Sequence, residues 1–327
     1  MYQRLMVVES SQTAEARRRA RALAVENGFD ETAAEKVAIV TTEAATNLLK
    51  HGGGGEIYLG ASGETGPALI NMIALDRGPG MNGVACREDG FSTSGTPGTG
   101  LGAMSRLSAL FDVYSRRGWG TAIFAQISEK GTAFQPDVRI HGIQFSKPRE
   151  EVCGDEFGVK QRRGSLTLVV ADGLGHGSQA QKAARAAVEV MGKHDNLSPK
   201  ELVARMNEAI RHTRGAAVGV LELDHERRIA TFSGVGNISA RIFDGGTAGR
   251  QMVSTNGTAG VEVRTVREFT YPWPAGAAIV LHSDGVSARW DLSDYPGLLA
   301  HDPGVIAGVV MRDHCRNTDD ATVVVVK

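Results

Sequence analysis

The order of apolar and polar positions predicts a helical start followed by strands. Residues from Gln12 to Glu26 read as helix, and those from Glu31 to Lys50 do so more strongly, with Asp30 as N-cap and Gly52 as stop. Ile39, Val40, Ala44, Leu48 and Leu49 give the second helix a face to bury. Strands are expected at Glu56–Gly60, Ala68–Leu75 and Thr121–Ile127, and a helix beginning after Gly102 would bury Met104, Leu107 and Leu110. Helices on one face of a mixed sheet make an α/β sandwich.

Periodicity weakens between about Gly131 and Arg149, where Pro136 and Pro148 interrupt it. This places a domain boundary near residue 135 and predicts domains 1–134 and 135–327. The second is richer in strands, at Leu166–Ala171, Ala217–Leu223, Ile229–Gly234, Ser239–Phe243, Ala278–His282 and Ala321–Val326. Two helices interrupt them. Ser178–Gln181 and Ser198–Glu201 both match the capping-box pattern, the latter with Pro199 at the first helical position. A two-sheet core with helices outside fits this order.

Composition adds modest constraints. A chain of 327 residues favours two domains over one core. Its 41 glycines lie largely in clusters, which points to tight turns and close backbone approach to ligands. A formal net charge of -1 gives no mark of nucleic-acid or anionic-membrane binding. Cys86, Cys153 and Cys315 are unpatterned, which argues for a reducing compartment without zinc knuckles. With no signal peptide at the start and no apolar run near the roughly 18 residues of a span, a cytoplasmic protein without a membrane segment is expected.

Three elements of the first half converge on nucleotide chemistry. Glu43 and Asn47 share one helix face. Asp76-Arg77-Gly78-Pro79-Gly80-Met81 follows the apolar run Ile70–Leu75. Gly98-Thr99-Gly100-Leu101-Gly102 precedes a helix, and N–H groups at a helix start can bind phosphate oxygens. In this order they resemble the GHKL ATPase fold. Thr42–Asn47, the run Gly52–Gly55 and Gly90–Gly95 are similar to the RsbT-type switch kinases of bacterial stress signalling. The resemblance covers roughly residues 1–130. It implies ATP with Mg²⁺ held by Asn47, and adenine recognised by Asp76, with Gly78 and Gly80 letting the backbone approach. Gly98, Gly100, Leu101 and Gly102 would form the phosphate-side lid, and Thr121 would line the adenine end. Glu43 becomes the base for an incoming Ser or Thr hydroxyl.

The second half offers carboxylates at the ends of apolar strands: Asp172 in Ala171–Gly177, Asp284 in His282-Ser283-Asp284-Gly285, and Asp319-Asp320 before Ala321–Val326, with Gly154-Asp155 upstream. If they gather, unit charges about 4 Å apart at an effective dielectric of about 20 repel by roughly 4 kcal/mol per pair. Two divalent cations would neutralise them and activate a bridging water for attack on a phosphate ester. Oxygen-only ligands favour Mn²⁺ or Mg²⁺. These residues resemble the metal-dependent PPM-type serine/threonine phosphatases, specifically the SpoIIE/RsbX branch, over roughly residues 140–327. The resemblance implies metal ligation by Asp155, Asp172, the Gly173 carbonyl, Asp284 and Asp319, with Asp320 behind them or as an alternative ligand. Leu174 stands where larger relatives carry His, so His176 is either a general acid or a turn residue.

The expectation is therefore a GHKL-type α/β sandwich followed by a PPM-type β-sandwich flanked by helices. It would add phosphate to, and remove it from, Ser or Thr of a STAS-domain antagonist or scaffold phosphoprotein, with sigma factors or anti-sigma regulators as further partners. The alternative is a phosphatase whose GHKL domain only senses ATP or binds a partner.

Overall fold

The computed structural model describes residues 1–62, 68–81, 99–129, 138–245 and 248–327. It divides into two compact units, Met1–Arg139 with Gly304–Arg312, and Ile140–Pro303 with Asp313–Lys327. Among the described residues no helix is long and apolar enough to cross a membrane.

The first unit runs β1 (Gln3–Val7), α1 (Ser10–Glu26), α2 (Glu31–Asn47), β2 (Gly55–Ser62), β3 (Leu69–Leu75), α3 (Thr99–Leu107), β4 (Leu110–Arg116) and β5 (Gly120–Ser128). Its strands form an antiparallel sheet in the order β1-β2-β3-β5-β4. Ala16, Ala20 and Ala24, spaced four apart on α1, join one core with Ala33, Ala34, Val37, Val40 and Ala44 of α2. Small side chains on both helices permit close axial approach. Asp30 caps α2 by accepting the Ala33 N–H at 2.7 Å. The helix then widens into a π turn, Leu48–Gly52, and stops at Gly53 in the left-handed region, one residue beyond the expected Gly52.

Helix α3 begins at Thr99, so Gly100, Leu101 and Gly102 form its first turn instead of preceding it, and Leu110 belongs to β4. Gly98 lies outside the described residues.

The second unit contains β6 (Ile140–Phe145), β7 (Asp155–Arg162), β8 (Ser165–Gly173), α4 (Ser178–Lys193), α5 (Pro199–Ala209), β9 (Ala216–Asp224), β10 (Ile229–Val235) and β11 (Ser239–Phe243), then strands Ala278–His282 and Ala321–Val326. One sheet carries β10-β9-β8-β7. Another carries β11, Ala278–His282, Ala321–Val326 and β6 in that order. The Phe157 ring of β7 lies over Gly142 of β6, where a Cβ would come within 2.4 Å of it. Helices α4 and α5 cover the opposite face of the first sheet through Ala184, Ala187, Val203 and Met206 against Val169, Ala171, Val218 and Val220.

Ser198 and Glu201 close the expected capping box on α5. The box at Ser178 does not form: Gly177 is the N-cap of α4 and Ser178 is already helical.

Candidate functional site

In the first unit, β3 delivers Asp76 to its end. Asp76 Oδ1 accepts the Gly78 N–H at 2.8 Å and the Thr121 N–H at 3.1 Å, while the Asp76 N–H donates to the Thr121 carbonyl at 3.0 Å. Burial pushes the Asp76 carboxyl above its ordinary range, and the two backbone donors oppose the shift. Thr121 Oγ1 lies 2.9 Å from Ser115 Oγ, which also accepts the Met81 N–H at 2.8 Å. Gly80 must be glycine: its φ is +65° and a Cβ would meet the Arg116 carbonyl oxygen at 2.0 Å. Asp76, Gly78, Gly80 and Thr121 therefore form one backbone-lined cluster.

Glu43 and Asn47 lie one turn apart on α2 and face the start of α3. A Cβ on Gly100 would sit 3.1 Å from Glu43 Oε2 and 3.7 Å from both Asn47 side-chain polar atoms. The first-turn N–H groups of a helix have no intrahelical acceptor, so those of α3 sit beside a carboxylate and an amide suited to a phosphate-bound cation.

In the second unit, alternation along β8 puts Val169 and Ala171 against α4 and α5, so Leu168, Val170 and Asp172 point to the other face. The register of β7 with β8 sets Asp155 directly opposite Asp172. Opposed residues in an antiparallel pair share a face, so the two carboxylates are neighbours. Strand Ala278–His282 ends beside Ser283 and Asp284, and Asp319-Asp320 leads into Ala321–Val326.

Asp172, Asp284 and Asp319 line a cavity of about 510 Å³ together with Lys147, His176, Asn237 and Asn256. Asp155 lies behind them at 1% exposure, and Asp320 is also buried. Burial is the largest cause raising the Asp172 carboxyl, with the charges of Asp155, Asp284, Asp319 and Asp320 adding to it. Asp155 is raised by burial, opposed by the hydrogen bond from Ser283. Asp284 is raised by burial and then by Asp319.

Several supporting contacts were not legible in the chain. Ser283 Oγ donates to Asp155 Oδ2 at 2.6 Å and accepts the Thr322 N–H at 3.0 Å. Gln144 Nε2 donates to the Asp155 carbonyl at 2.6 Å, and Asn237 Nδ2 to Asp284 Oδ2 at 2.6 Å. The Lys147 N–H donates to Asp320 Oδ1 at 2.8 Å. His176 Nδ1 is 2.7 Å from Glu150 Oε1, so one ring nitrogen of this residue is engaged by a carboxylate. Gly173 lies between Asp172 and Leu174, closely backed by α4, where a Cβ would be 2.0 Å from the Ala180 carbonyl oxygen.

Among the described residues no three of these side chains crowd one point tightly enough to hold an ion as they stand. Asp172, Asp284 and Asp319 line the cavity, and Asp155 and Asp320 are buried. Asp155 Oδ1 and Asp320 Oδ2 are nevertheless buried without a hydrogen-bond partner. Desolvated carboxylate oxygens with no basic partner fit hard divalent cations.

Known families match separate parts of the chain. A family model described as Stage II sporulation protein E (SpoIIE) matches residues 162–327, and one described as histidine kinase-like ATPase domain matches residues 7–127. Phosphoserine phosphatase RsbX of Bacillus subtilis (strain 168) is 26% identical over 144 residues, 44% of this chain and 72% of the relative. Serine/threonine-protein kinase RsbT of the same organism is 36% identical over 111 residues, 34% of this chain and 84% of the relative. Among solved structures, one of the bacterial stressosome, a modular system adapted to control secondary messenger signaling, aligns with a TM-score of 0.54 at 24% identity, covering 59% of this chain and 100% of that one. RsbX in complex with magnesium aligns with a TM-score of 0.51 at 22% identity, covering 59% of this chain and 96% of that one. Asp155 precedes the segment matched by the SpoIIE model, and the β7–β8 pairing and the Ser283 hydrogen bond tie it to the cluster. The chain thus belongs to the Stage II sporulation protein E family, carrying ahead of its PPM-type domain a histidine kinase-like ATPase domain of the RsbT kind.

Proposed function

We propose that this chain is a metal-dependent protein-serine/threonine phosphatase joined to an ATP-dependent protein-serine/threonine kinase. Both modules would act on STAS-domain proteins of a partner-switching pathway. The observation that carries the phosphatase half is the gathering of Asp155, Asp172, Asp284, Asp319 and Asp320, two of them with orphaned buried oxygens.

Asp172, Asp284 and Asp319 would hold Mn²⁺ or Mg²⁺ from the cavity wall, Asp155 from behind, and the Gly173 carbonyl from the end of β8. Bound there, the cations would supply charge neutralisation and an acidified water for displacing the serine or threonine oxygen from phosphorus. Ser283 and Asn237 orient Asp155 and Asp284. His176, engaged by Glu150 at the cavity edge, would pass a proton to the departing alkoxide.

In the first module Asp76 would accept the adenine amino group, Asn47 would hold the phosphate-bound Mg²⁺, and the start of α3 would close on the phosphates. Glu43, beside Gly100, would take the proton of the attacking hydroxyl. Similarity to RsbT and RsbX supports a shared class of protein substrate.

The test uses the full chain. With Mn²⁺ it should release phosphate from a phosphoserine STAS protein, and Asp172→Asn should not. With labelled ATP it should transfer label to the unphosphorylated protein. Asn47→Ala should lose ATP binding, whereas Glu43→Gln should bind ATP without transfer. Nucleotide binding with no transfer by the unaltered chain would reassign the first module to ATP sensing.

A further inference from the structure

We propose that Lys147 grips the phosphate group of the substrate in the acidic cavity, an inference that rests on the phosphatase reading. Among the described residues lining that cavity, Lys147 is the only Lys or Arg, and it shares the wall with Asp172, Asp284 and Asp319. Its backbone is pinned on both sides. The Lys147 N–H donates to Asp320 Oδ1 at 2.8 Å, and the Lys147 carbonyl accepts the Glu150 N–H at 3.0 Å. Glu150 in turn reaches His176 across the cavity edge. The loop is therefore tied to the acidic cluster through its main chain, which leaves the side chain free for another task.

That side chain is half-buried, and among the described residues its ammonium is engaged in no ion pair despite the carboxylates around it. A phosphate monoester entering this cavity is a dianion facing a wall of carboxylates. Cations on those carboxylates satisfy the phosphate oxygens on that side only. An oxygen turned away from them needs a separate donor, and a lysine ammonium offers three on a flexible stem. A charge-assisted contact of this kind holds ground state and transition state alike, so its loss shows mainly in KM.

The experiment compares the unaltered chain with Lys147→Ala and Lys147→Arg. The readouts are turnover of p-nitrophenyl phosphate and a phosphoserine peptide with Mn²⁺, calorimetric titration of inorganic phosphate with Mg²⁺ present, and Mn²⁺ titration. In Lys147→Ala, KM for both esters and the dissociation constant for phosphate should rise about tenfold or more, with Lys147→Arg restoring most of the loss. Mn²⁺ affinity should not change, because the N–H to Asp320 is main chain. Unchanged KM and phosphate affinity would overturn the proposal, as would loss of Mn²⁺ binding along with activity. If the unaltered chain binds phosphate but turns over neither ester, the phosphatase reading fails. A weakened phosphate affinity in Lys147→Ala would still support the grip.

Discussion

Ser283 Oγ lies 2.6 Å from Asp155 Oδ2, a contact between residues 128 positions apart. The same oxygen accepts the Thr322 N–H, so the hydroxyl proton has one direction left and points at the carboxylate. One small side chain therefore joins three strands and fixes which oxygen of Asp155 stays open. That open oxygen, Oδ1, is the buried atom without a partner.

Ser283→Ala should consequently lower Mn²⁺ affinity by roughly 10- to 100-fold, the usual effect of removing a group that orients a metal ligand. Calorimetric Mn²⁺ titration checks this. An unchanged affinity would mean that the strand ends alone hold Asp155 in place.

Asp172→Asn should abolish Mn²⁺ binding and phosphatase turnover together. In chelator the same variant should be more stable than the parent at alkaline pH, by about 1–3 kcal/mol, because one buried charge facing Asp155 is gone. Urea unfolding in chelator measures it, and a destabilised variant would contradict the repulsion inferred from the strand register.

Stability of the metal-free chain should fall as pH rises. Burial lifts the carboxyls of Asp155, Asp172 and Asp284 in the folded chain, so folding favours their protonated forms. Their contribution is fully present below the unfolded carboxylate range near about 4 and is lost as pH climbs through the raised folded values. Thermal unfolding in chelator from roughly pH 5 to roughly pH 9 should show a declining midpoint, with Mn²⁺ restoring most at the upper end. A midpoint that rises across that window would exclude buried, mutually repelling carboxylates.

Gly80→Ala should disable nucleotide binding and weaken the first unit by about 1–3 kcal/mol. The added methyl would have to displace the Arg116 carbonyl, and it would sit on a backbone at positive φ. Nucleotide titration alongside urea unfolding separates the two effects. A variant that binds ATP normally would move the adenine site away from the Asp76–Thr121 cluster.

The strands buried on both faces were legible because continuous apolar runs leave no other reading: Leu166–Ala171 and Ala321–Val326 are of this kind. Of the strands with one polar face, Ser239–Phe243 was expected and β7 was not. In β7, Glu156, Lys160, Gln161 and Arg162 break any apolar run, so the sequence offered Asp155 as a carboxylate beside a glycine without the strand that it begins. Three of the five residues of β1 are exposed, and its place in the sheet depends on pairing with β2. Helix α6 (Pro303–His314) opens on a proline after two short 3-10 turns, with few polar positions to mark a helical period. The motif aspartates were visible because each adjoins glycine or another aspartate. Ser283, Asn237 and Lys147 carry no local signature, since their roles arise from contacts made far along the chain.

Arg163 and Gly164 alone connect β7 to β8. Side chains alternate along a strand, so deleting one residue from that connection would force the ladder to slide by a single step. Asp155 would then be carried to the face covered by α4. The shortest hairpin of this unit is thereby a spacer gauge for a charge cluster at its opposite end, and a deletion there should silence metal binding well before it unfolds the sheet.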